Sequence, residues 1–142
     1  MGALLSLPSN NEIFSWNCRG LARPAAVRTL RRLIRDQSPD ILFISEAKIS
    51  PPQVSTTLNR LGFFLMSQVA ASSSNGGLAL AWHPGVDLKC FASDKNNISA
   101  WCFSDPHHSP WILSCVYGLS NRRDKRAFWD SFASIGEGFE AS

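Results

Sequence analysis

The sequence predicts an α/β domain built on a mixed β-sheet with flanking helices. Three observations lead there. A strand, an amphipathic helix and a second strand follow one another within about 30 residues, the span of a βαβ unit. The second of those strands is a continuous apolar run enclosed by prolines. Strand-like segments joined by short turns come next, which makes them antiparallel neighbours following a parallel pair.

Glu12 to Asn17 alternates apolar and polar residues, with Ile13, Phe14 and Trp16 set against Ser15 and Asn17. This spacing predicts the first strand. It runs into Cys18, Arg19 and Gly20, where the glycine permits a tight turn. Pro24 opens a helix at a position that tolerates its missing N–H. Ala26, Val27, Leu30, Leu33 and Ile34 then recur at helical spacing and form one apolar face. Arg28, Arg31, Arg32 and Arg35 fall on or near the other face, as a solvated surface would place them.

Asp40 to Ser50, DILFISEAKIS, is the stretch around which the chain is organised. Ile41 to Ile44 is apolar without a break, with Pro39 before it and Pro51 and Pro52 after it. A run of that length and composition reads as a strand buried on both faces, as in sheets covered by helices. It runs on to Glu46. A carboxylate at the end of a buried strand is costly without a partner. A helix cap, Lys48 or a divalent cation would each justify it. Mg²⁺ suits the position because it is held by only one or two carboxylates together with substrate phosphates and water. If the two strands are parallel, Asn17 and Glu46 emerge on the same edge of the sheet. In open α/β sheets that edge is where ligands bind.

Pro52 to Leu61 predicts a short second helix with Val54, Leu58 and Leu61 as its stripe, ended by Gly62. Phe63 to Val69, Leu78 to Trp82, Val86 to Ser93, Ile98 to Ser104 and Trp111 to Gly118 read as strands. Ala70 to Gly77 is a flexible connection, or else Gly76 and Gly77 allow close backbone approach. Asn121 to Ile135 predicts a final helix with Phe128, Trp129 and Phe132 on one side. His83, His107 and His108 all fall in turns and read as solvated residues rather than a catalytic base.

Composition narrows the class. The 142 residues suit one domain with a real core, here placed at residues 12–135, with loose termini at 1–11 and 136–142. A hydrophobic content of 44% excludes a disordered chain. A net charge of +3 is compatible with a polyanionic partner without requiring one. Cys18, Cys90, Cys102 and Cys115 form no C-x-x-C pair, which argues against zinc and for reduced thiols inside the cell. No apolar stretch approaches a membrane span, and Met1 to Asn11 lacks the basic flank of a signal peptide. The expected location is cytoplasmic or nuclear, with no membrane partner.

Four segments in order carry a resemblance: SWNCRGL at Ser15 to Leu21, SPDILFISEAKIS at Ser38 to Ser50, GGLALAW at Gly76 to Trp82 and PWILSCVYG at Pro110 to Gly118. They resemble the amino-terminal half of an endonuclease/exonuclease/phosphatase domain. Among its branches they look most like the apurinic-type endonuclease of plant non-long-terminal-repeat (LINE-type) retrotransposons, which accompanies a reverse transcriptase. The resemblance implies a four-layer α/β sandwich, of which this chain would supply half, and Mg²⁺-dependent hydrolysis of a phosphate ester. It implies that Glu46 and Asn17 serve the metal site and that Lys48 lies near phosphate. Tyr117 would approach the scissile phosphate, and Asn121 or Arg122 would contact the DNA backbone.

Arg19 and Ala47 depart from that pattern, standing where some relatives carry an acid and a threonine. The family's later Gly-Asp-x-Asn motif and Asp-His pair do not occur in these residues. The chain is therefore expected to be a fragment of a DNA-nicking enzyme, inactive without its carboxy-terminal half and truncated before a second sheet is complete. It should supply roughly one sheet, whose inner face would lack a partner. The alternatives are a phosphatase, deadenylase or sphingomyelinase parent, or a non-catalytic remnant that binds nucleic acid or protein.

Overall fold

The computed structural model describes residues 3–5, 12–71, 76–103 and 110–117. The elements run β1 (Ala3–Leu5), β2 (Ile13–Asn17), α1 (Pro24–Gln37), β3 (Ile41–Ser45), α2 (Pro51–Arg60), β4 (Leu65–Val69), β5 (Leu78–Trp82), β6 (Leu88–Asp94), β7 (Asn97–Cys102) and β8 (Trp111–Val116). They form a five-stranded mixed sheet of order β1-β2-β3-β5-β4 and a three-stranded sheet of order β6-β7-β8.

The βαβ unit is as the sequence predicts. β2 and β3 are parallel, with Ile13 opposite Ile41 and Asn17 opposite Ser45. Helix α1 begins at Pro24 without a side-chain cap and stops where Ser38 turns left-handed, its N–H returning to the Ile34 carbonyl at 2.8 Å. Ala26 and Leu30 are buried, with Val27, Leu33 and Ile34 packed beside them, while the four arginines are exposed. Pro51 opens α2, and the Gln53 side chain accepts a hydrogen bond from the Ser50 N–H at 3.0 Å.

All five residues of β3 are buried, and the alternation explains why. Leu42 and Ile44 join Phe14, Trp16, Ala79 and Ala81 under the helices, against Leu30, Val54, Leu58 and Phe63. Ile41 and Phe43 point the other way. With Ile13, Leu78 and Leu80 they meet Leu88, Ile98, Ala100, Cys102, Leu113 and Cys115 from the second sheet. The described residues thus form three layers: helices, mixed sheet, antiparallel sheet.

This packing corrects one expectation. The strands after α2 do not extend a single sheet. β5 pairs antiparallel with β3 and with β4, whereas β6, β7 and β8 form a separate meander. The chain leaves the first sheet at the His83–Pro84–Gly85 turn. The inner face of the five-stranded sheet is therefore covered by this chain's own second sheet. A second correction concerns the amino terminus. Ala3–Leu5, expected to be loose, pairs antiparallel with Ile13–Ser15 and adds the edge strand β1, because β2 otherwise offers an unpaired edge. Phe63 and Phe64 precede β4 rather than opening it, and Phe63 is buried and stacked on His83 with ring centroids 4.3 Å apart. The predicted helix at Asn121 to Ile135 and the tail beyond it lie outside the described residues.

The four cysteines are free thiols, three of them buried. Among the described residues no helix is long and apolar enough to cross a membrane.

Candidate active site at the carboxyl ends of the parallel strands

Three backbone segments meet at the carboxyl ends of β2 and β3. The Cys18 N–H donates to the Ser45 carbonyl at 3.0 Å, that of Gly20 to Glu46 at 2.8 Å, and that of Leu21 to Ala47 at 2.8 Å. From the other side, the Ala47 N–H donates to Gly77 at 3.2 Å and the Lys48 N–H to Gly76 at 3.0 Å. Ala47 is thus buried between two neighbouring segments, with Glu46 and Lys48 on either side of it. Gly77 is needed for this contact. Its φ is +107°, and an added Cβ would lie 3.4 Å from both the Ala47 Cβ and the Lys48 nitrogen. The close approach foreseen at Gly76 and Gly77 is present.

The backbone is strained at this rim. Arg19, Glu46 and Lys48 have φ of 52°, 55° and 58°, a left-handed region that non-glycine residues rarely occupy. Such conformations persist only where surrounding bonds over-determine them. Here the inter-segment hydrogen bonds do so, helped by the Asn17 Oδ1, which accepts the Arg19 N–H at 3.2 Å. The Cys18 thiol donates to the Ser45 and Glu46 carbonyls, each at 3.3 Å. Arg23 ties the loop from outside, donating from Nη2 to the Cys18 carbonyl at 3.1 Å and from Nε to that of Gly20 at 3.4 Å.

Glu46 keeps only 16% of its side chain exposed, and Lys48 Nζ stands 4.0 Å from its Oε1. Tyr117, just past β8, directs its hydroxyl at the same carboxylate. The phenol pKa is raised above its ordinary value. Partial burial is the first cause, and the Glu46 charge and the hydrogen bond to it add to the effect. The Cys18 thiol is also raised, chiefly by burial. The rim therefore spans both sheets, with Glu46 from the mixed sheet and Tyr117 from the antiparallel one.

Of the residues singled out by sequence, Glu46, Lys48 and Tyr117 come together. Asn17 stands on the same edge, opposite Ser45 in register, with its amide oxygen occupied by the Arg19 N–H. Asn121 and Arg122 lie outside the described residues, as do His107 and His108. The sequence reading passed over Cys18 and Arg23 as parts of the scaffold. The signal was the C-R-G turn itself, whose neighbours have to be bonded to something. Among the described residues no three His, Cys, Asp or Glu side chains gather as a metal cluster. The donor set is one carboxylate with an amide nearby.

Residues 14–135 match the endonuclease/exonuclease/phosphatase family. The chain belongs to that family. No curated protein matches the chain significantly. Among solved structures, the chain is similar to the AP endonuclease LMAP from Leishmania major, at 18% identity and a TM-score of 0.55 over 84% of this chain and 44% of that one. It is similar to TDP2 from Caenorhabditis elegans, at 16% identity and 0.53 over 87% and 39% respectively. A truncated form of the latter gives 14% identity and 0.53 over 89% and 53%. At these identities the likeness is one of fold. This family member spans less than half the length of the AP endonuclease and of the full TDP2 chain. Members of the family generally depend on a divalent metal ion.

Proposed function

We propose that this chain is the amino-terminal part of a Mg²⁺-dependent phosphodiesterase domain whose whole form nicks DNA, of the kind carried by plant non-long-terminal-repeat retrotransposons. One observation carries the reading. A carboxylate, a cation and a hydroxyl donor, Glu46, Lys48 and Tyr117, converge from two sheets on a strained rim at the carboxyl end of a parallel pair. Strained backbone clusters at active sites and ligand clamps, so three left-handed residues around a largely buried carboxylate support a site here. The SWNCRGL and VYG segments support the retroelement type, and the fold likeness to an AP endonuclease supports DNA as the substrate.

The donor set fits magnesium. Mg²⁺ takes one or two carboxylates and keeps several waters, so Glu46 would be its protein ligand. The Asn17 amide, whose oxygen already accepts the Arg19 N–H, stands on the same edge to support the loop or a bound water. Bound there, the ion would supply charge neutralisation for the phosphoryl oxygens. The protein's own groups do the rest. The Tyr117 hydroxyl, directed at Glu46 in this structure, would turn its single O–H to a phosphate oxygen as negative charge builds on it. Lys48 holds Glu46 in place and lends a point charge to the phosphate. Asn121 or Arg122 would contact the DNA backbone further along. The groups that would orient the attacking water belong to motifs that these residues do not contain, so the chain alone is inactive.

Two measurements test this reading. Titration of Mg²⁺ followed by NMR should shift resonances around Glu46 and Tyr117 in the wild type and leave them in place in Glu46→Gln. Supercoiled plasmid incubated with the chain and Mg²⁺ should stay intact. Absence of any Mg²⁺ response at the rim sinks the metal reading and leaves a non-catalytic remnant, which the missing Gly-Asp-x-Asn and Asp-His motifs favour. Robust nicking that disappears in Glu46→Gln refutes inactivity of the chain alone.

A further inference from the structure

Three cations stand on the rim beside Glu46, and two of them are engaged. Arg23 is bound to the Cys18 and Gly20 carbonyls, and Lys48 faces the Glu46 carboxylate. The third, Arg19, is exposed, and its guanidinium has no hydrogen-bond or ion-pair partner among the described residues. Yet its backbone is held from both sides. Its own N–H is bonded to the Asn17 side chain, and its neighbours on both sides, Cys18 and Gly20, are bonded to the Ser45 and Glu46 carbonyls. The chain thus maintains an unfavourable left-handed conformation at a position where glycine would be more comfortable, and there it carries an exposed guanidinium that is unpaired among the described residues.

We infer that Arg19 binds a backbone phosphate of the DNA next to the one that reacts. The inference rests on the proposed function and deepens it by assigning a residue that sets substrate register. A guanidinium presents a fork of donors that matches phosphate oxygens and stays charged at any working pH. Contacts of this kind position a duplex without reading its sequence. The hydrogen bonds from Cys18 and Gly20 to the Glu46 segment hold the backbone of residue 19 in a fixed relation to that of Glu46. A phosphate seated on Arg19 would therefore hold its neighbour at Glu46, Lys48 and Tyr117. An exposed cation on this rim would also lessen the repulsion between the Glu46 charge and a polyanion.

The test uses the 142-residue chain and a short fluorescein-labelled DNA duplex, with anisotropy read over a range of salt concentrations. Arg19→Gly removes the cation and relieves the left-handed backbone. Its melting temperature should equal or exceed that of the wild type, while its DNA affinity falls about tenfold at low salt. The slope of log affinity against log salt should become shallower by about one counterion. Arg19→Lys should recover part of the affinity. Arg35→Gln, which removes a charge at the far end of α1, should leave the affinity within about twofold of the wild type. Unchanged affinity and slope in Arg19→Gly overturn the assignment of Arg19 alone. Failure of the wild-type chain to bind the duplex at low salt overturns both this assignment and the DNA reading.

Discussion

The two ends of the five-stranded sheet are built differently. At the amino end of β3 the backbone closes by ordinary means. The Asp40 and Ile41 N–H groups both donate to the Glu12 carbonyl, at 2.9 and 3.0 Å, and the His83 N–H donates to the Asp40 carbonyl at 3.1 Å. The one left-handed non-glycine residue near that end, Ser38, has a plain cause: it stops α1. At the carboxyl end, Arg19, Glu46 and Lys48 are left-handed, with Gly20 and Gly77 beside them at φ of 104° and 107°, and none of the five terminates a helix. A left-handed residue at a helix end is a stop signal. Three around a largely buried carboxylate stop no helix and are held instead by hydrogen bonds between segments, each at a cost of order 1 kcal/mol. The middle of the sheet is fully packed, whereas the strained backbone gathers at one rim.

That contrast can be tested in order of expected effect. Leu80→Ala, in the fully buried layer between the sheets, should cost about 3 kcal/mol in urea unfolding, whereas Glu46→Gln should cost under about 1 kcal/mol. Equal losses would dissolve the distinction between scaffold and rim. Gly77→Ala should cost about 2 kcal/mol, because its positive φ is combined with contact on Ala47 and Lys48. Gly62→Ala, at φ +97° with nothing within 4 Å, should cost about 1 kcal/mol. If the two glycines behave alike, the rim is no more crowded than a helix end. Ser38→Gly should stabilise by about 0.5 kcal/mol, read by the same unfolding curves, since only the helix stop is at issue there.

The smallest effect is on titration. Tyr117 is the sole tyrosine of the chain, so absorbance of the phenolate reports it alone. Its titration should lie above the ordinary value near 10 and move down in Glu46→Gln, because the carboxylate accounts for two of the three causes. The sign for stability follows from linkage. A folded-state pKa above the unfolded one gives stability that is present below pH 10 and lost as pH rises through the folded value. Tyr117→Phe should flatten that alkaline loss. A titration unmoved by Glu46→Gln would mean that the two sheets do not bring these side chains together in solution.

Much of the scaffold was legible because period carries it. The alternation of Ile13 to Asn17, the helical stripe from Ala26 to Ile34 and the unbroken run from Ile41 to Ile44 each have one good solution. The division of strands between sheets was not legible. An apolar strand such as Leu78 to Trp82 shows that both its faces are covered, not by what, so the antiparallel sheet was mistaken for a continuation of the first. At the site, Glu46 stood out as a charge at the end of a buried strand. Asn17 followed from the parallel register, and Gly77 from the glycine pair before β5. Cys18 and Arg23 did not stand out, because hydrogen bonds to carbonyls distant in sequence leave no pattern in composition.

The amino-acid sequence by itself determined which segments are strands and helices, and that an acid and an amide leave the sheet on one edge. Local periodicity and the two-residue alternation of a strand require as much. Only the tertiary structure decided that Tyr117 comes to Glu46 from a second sheet, and that Arg19, Glu46 and Lys48 take a backbone their side chains disfavour. Both depend on hydrogen bonds and packing between segments remote in the chain, where the gain of the whole assembly outweighs the preference of a single residue.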